Sequence, residues 1–229
     1  MSFFLDVLNP TIFIGELEIR EPITSLTDFL TACVSGVSFF LFLFYKKNSK
    51  NKSFVFFKFY FLCYFIGMTS AAFFGHAFQA YLPKEVKIIG WVFSAMGQFF
   101  LSIATLKVMG NTISKKWISF FNLFLIVQLS VFIFLMIHPS YSDFKIAQIA
   151  GSSVLIGFIL PMHIFNFLKT KSEGSKAIIL AILYALIPAL VYNNQFSISR
   201  WFNYHDISHV LMSIFILLMF YASKKLSWK

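Results

Sequence analysis

The sequence predicts an all-α membrane protein, a bundle of seven transmembrane helices. Hydrophobic residues make up 59% of the 229 and charged residues only 12%, whereas soluble domains are about half apolar and a quarter charged. The mean hydropathy of +0.78 agrees with this. Phenylalanine occurs 33 times and glycine and proline are sparse, which favours helices over a membrane barrel, whose strands would alternate apolar and polar residues.

The apolar segments are predicted to cross the bilayer, at roughly 20 helical residues per crossing. We expect one domain over residues 1–229, in which residues 1–22 form an interfacial lead-in on the outer side. The seven predicted spans cover residues of about 23–45, 54–81, 88–109, 117–137, 146–168, 177–191 and 207–223.

Basic residues mark the orientation of the spans. Twelve lysines follow spans one, three, five and seven, whereas the loops on the other side have only five basic residues. Since cytoplasmic loops are enriched in Lys and Arg, the N-terminus is expected outside and the C-terminus in the cytoplasm. The net charge of +10 therefore reflects topology, and no nucleic-acid partner is expected. Abundant Phe and Lys without a targeting segment fit a bacterial cytoplasmic (inner) membrane.

A histidine pair opens the last span. His205 and His209 are four residues apart, so on a helix they share one face, and a metal ion suits two imidazoles that point at one object. By the predicted topology, His76 near the end of span two reaches the same leaflet. The alternative for the pair is a simple helix start, in which Asp206 complements the N-terminal dipole. His163 lies towards the opposite end of span five and is interpreted as an ordinary hydrogen-bonding residue.

Two acidic residues of span one belong to the same leaflet. Glu21 lies at its outer mouth and Asp28 two turns further in. Glu21 followed by Pro22 also fits an ordinary helix start. Asp28 is too deep to cap a helix, so it needs a buried partner or a proton. Ionisable residues within spans are costly and tend to face the bundle interior in pairs or around ions.

At these positions the sequence resembles the alkaline ceramidases and their bacterial relatives, a superfamily of seven-span membrane metal hydrolases that also includes the adiponectin-receptor relatives. The stretch from Glu21 to Asp28 resembles the Glu-Pro-x-Asn-x-x-Ser-Asn signature that opens their first span. His205-x-x-x-His209 resembles the His-x-x-x-His at the start of their seventh span, and His76 matches a histidine late in their second. The resemblance implies a zinc ion held by three histidines plus a water, and hydrolysis of a lipid amide.

The chain departs from this pattern around the ligands. Similar polar groups replace two asparagines and a serine of the signature at Thr24, Thr27 and Asp28. The family serine four residues before the span-two histidine is Ala72 here, so Thr69 or Ser70 would have to replace it. The family also has an aspartate shortly after that histidine, whereas Ala77 to Gly110 contains one acid, Glu85. The metal ligands therefore match better than the catalytic groups.

The first hypothesis is a zinc-dependent intramembrane hydrolase of a lipid amide or ester. Three neutral imidazoles and an open fourth position are the catalytic pattern for zinc, which lowers the pKa of its water to about 7. Asp28 and Asp206 are the candidate proton acceptors, and Asp28 is favoured because Asp206 points about 100° away from His205 on a helix. The candidate donors to the developing oxyanion are Ser70, Thr69 and Tyr204.

Two other classes remain open. The chain could be a non-enzymatic receptor, sensor or assembly protein whose metal ties spans one, two and seven together, which the missing family aspartate favours. A haem protein or transporter ranks last, because residues four apart on one helix do not both bind one haem iron, and Pro161 and Pro188 are the only mid-span prolines. Zinc is the expected cofactor, and membrane lipids are the expected partners.

Overall fold

The computed structural model describes residues 10–44, 52–138 and 140–227. It is 81% helical, and seven helices are long and apolar enough to cross a membrane, so the chain is an all-α integral membrane protein. The helices are α1 (Pro22–Phe44), α2 (Ser53–Ala77), α3 (Lys84–Val108), α4 (Lys115–Ile137), α5 (Phe144–Thr170), α6 (Glu173–Asn193) and α7 (Tyr204–Ser227).

Two helix ends near the histidines differ from the predicted bounds, and so do the starts of α3 and α6 and the end of α7, which extend beyond the predicted spans. Helix α2 ends at Ala77, because residues 78–81 form turns. Helix α7 begins three residues earlier than predicted because Asn203 caps it. The Asn203 side chain accepts a hydrogen bond from the His205 amide at 2.8 Å, and the Asp206 carboxylate accepts one from the Asn203 amide at 2.7 Å. This reciprocal arrangement is a capping box, and it places His205 in the first turn of α7.

A β-hairpin precedes α1 where the sequence predicted an interfacial lead-in. Strands β1 (Thr11–Ile14) and β2 (Leu17–Arg20) pair antiparallel around Gly15, whose φ of 61° suits a residue without a Cβ. The Tyr81 hydroxyl accepts a hydrogen bond from the Glu18 amide at 2.7 Å, which fixes the hairpin to the chain after α2. Residues 1–9 of the predicted lead-in, and the lysines of residues 45–51, lie outside the described residues.

Helices α1, α2 and α7 pack side by side. Helix α1 meets α7 through hydroxyl groups: Thr31 donates to the His209 carbonyl at 3.0 Å and lies 2.8 Å from the Ser213 hydroxyl. Helix α2 meets α3 closely at Gly67, where an added Cβ would lie 3.1 Å from the Gly90 carbonyl oxygen. Small residues allow such close approach. Because α1 and α7 begin where α2 ends, one end of the bundle, here called the histidine end, collects their polar termini.

Candidate functional site

His76, His205 and His209 come together at the histidine end. Their ring centroids lie 6.3 Å apart for His76 and His205, 6.2 Å for His76 and His209, and 6.4 Å for His205 and His209. His205 and His209 occupy successive turns on one face of α7. The three rings, which we call the histidine cluster, therefore form a nearly equilateral triangle contributed by two helices.

A π-helical turn, Ala71–Ala77, carries His76 at the end of α2. Such turns are rare and occur frequently at functional sites. Inserting one extra residue per turn changes the direction of the side chains that follow it. No pattern in the sequence of α2 indicated this turn, so the direction of His76 was beyond sequence reasoning.

Asp28 of α1 lies between two of the histidines and is 1% exposed. Its Oδ1 is 3.2 Å from Nδ1 of His209, and its Oδ2 is 3.4 Å from Nε2 of His76. Neither approach has the geometry of a hydrogen bond, and neither oxygen has a hydrogen-bond partner among the described residues. A buried carboxylate is costly unless a proton or a cation compensates it. The sequence predicted that Asp28 needs a buried partner or a proton, and in the structure two imidazoles lie close to its carboxylate.

Glu21 holds the other side of the His76 ring, through a hydrogen bond between its carboxylate and Nδ1 of His76. Burial raises the pKa of the Glu21 carboxyl, but the hydrogen bond and the charge of His76 lower it further, so that it lies below its ordinary value. The Glu21 backbone has a φ of 46°, which is strained for a residue before proline. Its amide donates to the Pro10 carbonyl at 2.8 Å, so the segment entering the hairpin holds Glu21 in place.

Asp206 uses both carboxylate oxygens to attach α7 to its surroundings. Oδ1 accepts from the Thr24 hydroxyl at 2.7 Å and Oδ2 from the Asn203 amide at 2.7 Å. Thr27, the other predicted polar residue of α1, donates to the Thr24 carbonyl at 3.0 Å and lies 3.4 Å from Nδ1 of His209. Asp206 was a candidate base as well as a candidate cap, and these contacts favour the cap.

Ser70 does not reach the cavity beside the histidines, contrary to its candidate catalytic role. Its hydroxyl donates to the Ile66 carbonyl at 2.8 Å, one turn back in its own helix, and its Cβ faces Gly90 of α3. Thr69 likewise donates to the Phe65 carbonyl at 2.7 Å. Neither residue is among the described residues that line the cavity. The rotation of α2 about its axis turns both hydroxyls away from the cavity. The spacing of residues in the sequence does not reveal this rotation.

A cavity of about 550 Å³ runs from the histidine cluster into the bundle. This volume is within the usual range of small-molecule sites. The first half of α5 (Phe144–Val154) packs against α3, whereas the second half (Leu160–Thr170) packs against α6. The π-helical turn Leu155–Ile159 separates the halves, and the cavity lies beside the first. Its lining is mostly apolar, with polar groups at mid-depth from Gln98, Ser102 and Gln128.

Sequence reasoning missed two residues of the cavity wall near the histidines. Lys87 lines the cavity and donates to the Gln79 side chain at 3.2 Å. Tyr192 also lines it, with its ring centroid 5.3 Å from that of His205. Lys87 had been counted only as one of few basic residues on its side, and Tyr192 ends an apolar span. The signal available for Lys87 was its position directly before the predicted third span, where a helix that starts a few residues earlier includes it.

The donor types of the histidine cluster fit zinc. Each of the three imidazoles has at least one nitrogen without a hydrogen bond to a described residue, and neutral imidazoles are ordinary zinc ligands. The side chains are not assembled around a common point, however: among the described residues, no group of three or more His, Cys, Asp or Glu side chains is arranged to hold a metal ion. His76 and His209 instead face Asp28, so metal binding requires these rings to turn.

Comparison with known proteins identifies a family for the chain but no activity. The sequence profile of a family of unknown function (DUF6962) matches residues 23–227. No curated protein and no solved structure matches the chain. The matched region contains Asp28 and all three histidines, whereas Glu21 lies two residues before it.

Proposed function

We propose, for a chain that belongs to the DUF6962 family of unknown function, that it is a metal-dependent intramembrane hydrolase of a lipid amide or ester, similar to the ceramidases that its motifs resemble. One observation carries the proposal. The buried carboxylate of Asp28, without a hydrogen-bond partner among the described residues, lies between His76 and His209 beside a mostly apolar cavity. An ionisable group at such a depth is a candidate for function.

Zinc is the proposed metal, and His76, His205 and His209 are the residues that would hold it. When bound, zinc polarises a carbonyl group and makes water acidic enough to lose a proton near neutral pH. Glu21 orients the His76 ring by its contact with Nδ1, which leaves Nε2 facing the interior. Such partners of ligand histidines fix the ring and its tautomer.

Asp28 is the proposed general base. Its oxygens face the histidines and are not engaged in hydrogen bonds with described residues, so one of them can accept the proton of the attacking water and pass it to the leaving group. Asp206 has a different role, because both its oxygens hold α7 against α1 and its own cap. It keeps His205 and His209 in position.

Tyr192 replaces Ser70 as the proposed donor to the carbonyl oxygen of the substrate. Its ring lies beside His205 in the cavity wall, and its hydroxyl makes no hydrogen bond to a residue that the structure describes. A donor placed where negative charge develops stabilises the transition state. The apolar remainder of the cavity suits the hydrocarbon chain of the substrate.

The proposed location is the bacterial cytoplasmic membrane, with the N-terminus outside and the C-terminus in the cytoplasm. The lysines at the ends of α5 and α7 and at the start of α4 support it, because they lie at the bundle end opposite the histidines and basic residues favour the cytoplasmic side. The histidine cluster would then act on lipids of the outer leaflet.

Turnover of a lipid panel tests the proposal. Wild-type protein in lipid nanodiscs is incubated with ceramides, other N-acyl lipids and acyl esters, and the released fatty acid is measured by mass spectrometry. We expect hydrolysis of at least one lipid, its loss on chelation and its return with zinc. The Asp143→Asn and Asp28→Asn variants form a matched pair, since Asp143 is an exposed helix cap that Asn can replace, and only the second should lose turnover while metal remains bound. No release from any lipid by zinc-loaded wild type would contradict an enzymatic role.

A specific observation favours the alternative, a non-enzymatic receptor, sensor or assembly protein with a structural metal. Ala72 takes the position of the family serine and is fully buried, and Ser70 does not line the cavity. A metal held by α2 and α7 would still connect distant parts of the chain and stabilise the fold. In that case zinc would raise the thermal unfolding midpoint of the protein, and the lipid panel would show no turnover.

A further inference from the structure

Lys87 places a positive charge in the wall of the cavity at the histidine end. It lies in the first part of α3, is partly buried, and lines the cavity beside His76 and His205. Its Nζ donates to Oε1 of Gln79 at 3.2 Å, a neutral partner. It forms no ion pair with any residue that the structure describes. A partly buried ammonium group facing an apolar space is costly without an anionic partner.

None of the three buried carboxylates of the histidine end forms an ion pair with Lys87. Glu21 is close enough to interact electrostatically with Lys87, but its carboxylate is bonded to His76. Asp206 is bonded to Thr24 and the chain before α7, and Asp28 faces histidines. The charge of Lys87 is therefore available to a molecule in the cavity.

The cavity beyond Lys87 is apolar. Trp91 follows one turn further along α3 and also lines the wall. Helices α4 and α7 contribute the large apolar side chains of the deeper part, which are Leu125, Leu129, Phe132, Met212 and Phe215. A charged group at one end and an apolar wall behind it match the two parts of an amphiphile with one hydrocarbon chain.

We propose that the cavity binds a single-chain amphiphile by a negatively charged head group, a phosphate or carboxylate, which pairs with Nζ of Lys87 while the chain occupies the apolar part. Lysine binds such groups as a point charge. The inference deepens the proposed function, since it names the head group of the lipid at the same site. Binding itself requires neither the metal nor turnover, so the two proposals can fail separately.

Fluorescence of Trp91 provides the test. The reporter chain carries Trp117→Phe, Trp201→Phe and Trp228→Phe, so that Trp91 is its one tryptophan. It also carries Asp28→Asn to suppress turnover, and it is held in phosphatidylcholine nanodiscs. Three probes share one brominated hexadecyl chain and differ in the head: phosphate, alcohol or trimethylammonium. Bromine quenches tryptophan on contact, and quenching is corrected for the partition of each probe into empty discs. We expect the phosphate probe to bind about tenfold more tightly than the alcohol, as for a charge-assisted contact of about 1.4 kcal/mol.

Three variants and one competitor decide the outcome. Lys87→Gln should remove the preference for phosphate and Lys87→Arg should keep it, while Lys84→Gln, at an exposed lysine outside the cavity lining, should leave it unchanged. Inorganic phosphate at the concentration of the probe should not displace it, because it lacks the chain. An equal preference in wild type and Lys87→Gln would overturn the inference and leave Lys87 as an interfacial anchor. Displacement by inorganic phosphate would show that the site does not need the hydrocarbon chain, and would contradict an amphiphile as the ligand.

The result is independent of the proposed hydrolysis. A preference for phosphate together with an inactive lipid panel would support this inference and contradict the enzymatic role. Turnover of neutral lipids by wild type, with no head-group preference in the reporter chain, would support the enzyme and contradict the inference.

Discussion

At the end of the bundle opposite the histidine cluster, His163 lies fully buried between α3, α5 and α6. Its Nε2 is 3.2 Å from the Thr105 hydroxyl and its Nδ1 is 3.0 Å from the Ser175 hydroxyl, which also accepts from Asn166 at 2.8 Å. These four residues form the His163 cluster. Both ring nitrogens have neutral partners, and the ring is not among the described residues lining the cavity.

The histidine cluster differs in its partners and in its access. His76 and His209 face the carboxylates of Glu21 and Asp28, and both rings line the cavity together with that of His205. The contrast teaches that a buried histidine is not by itself a sign of chemistry. Where hydroxyl groups satisfy both nitrogens, histidine connects helices. Where a histidine lies beside carboxylates and lines a cavity, it can bind a metal ion or transfer a proton.

The largest expected effect separates the two clusters by activity. Asp28→Asn keeps the size of the side chain but removes the proposed base, so we expect turnover of the best lipid substrate to fall by about 10²–10⁴-fold. His163→Gln should leave turnover per folded molecule within about twofold, since its cluster does not face the substrate. Initial rates in nanodiscs measure both. Equal loss in the two variants would show that the effect is structural.

The next effect concerns stability at the His163 cluster. His163→Ala removes the hydrogen bonds of the ring with Thr105 and Ser175 and opens a void between three helices, so we expect a loss of about 2–4 kcal/mol in the free energy of unfolding. Thermal unfolding in detergent, followed by loss of the monodisperse peak, measures the change. An unchanged midpoint would mean that the cluster does not connect α3, α5 and α6.

A smaller effect, on zinc affinity, is expected at Glu21, whose carboxylate holds the His76 ring. Glu21→Gln preserves the shape of the side chain at its strained backbone position but removes the charge beside Nδ1. Loss of such a partner typically weakens metal binding by about 10–100-fold. Zinc titration against a competing chelator measures the affinity. Glu18→Gln, in the exposed hairpin, is the matched control, and an equal loss of affinity there would contradict a specific role for Glu21.

The smallest effect lies at the edge of the His163 cluster. The Thr112 hydroxyl is 3.4 Å from Oδ1 of Asn166 and also donates to the Met109 carbonyl at 2.9 Å. Thr112→Val should therefore cost only about 0.5–1.5 kcal/mol, with metal content unchanged. The same thermal assay checks it, and a loss as large as that of His163→Ala would shift the centre of the cluster towards Asn166.

Local patterns made the spans and the histidine pair predictable. Apolar length is a property of each segment, and His205 and His209 share a face on any helix. The depth of Asp28 likewise followed from its distance to the start of α1. These predictions needed only the length and periodicity of a single helix, and so a single sequence was enough to make them.

Features that depend on contacts between helices were beyond the sequence. The packing of α2 against α3 turns Ser70 towards Gly90 and away from the cavity. The role of Asp206 depended on Thr24, in a helix far away in sequence. Lys87 was interpreted as a topological charge, because counting basic residues does not show which of them faces a cavity. The sequence indicated a hydrogen-bonding role for His163, but it did not show that Thr105 and Ser175 are its partners.

Metal content tests the central claim most directly. Wild-type protein, the His76→Ala, His205→Ala and His209→Ala triple variant, and His163→Gln are purified with zinc supplied, exchanged into the same nanodiscs, and analysed by plasma mass spectrometry. We predict about one zinc per chain in wild type and in His163→Gln, and essentially none in the triple variant, as the chemistry of three imidazoles requires. Wild type without zinc, or a triple variant that retains as much as wild type, would contradict the account.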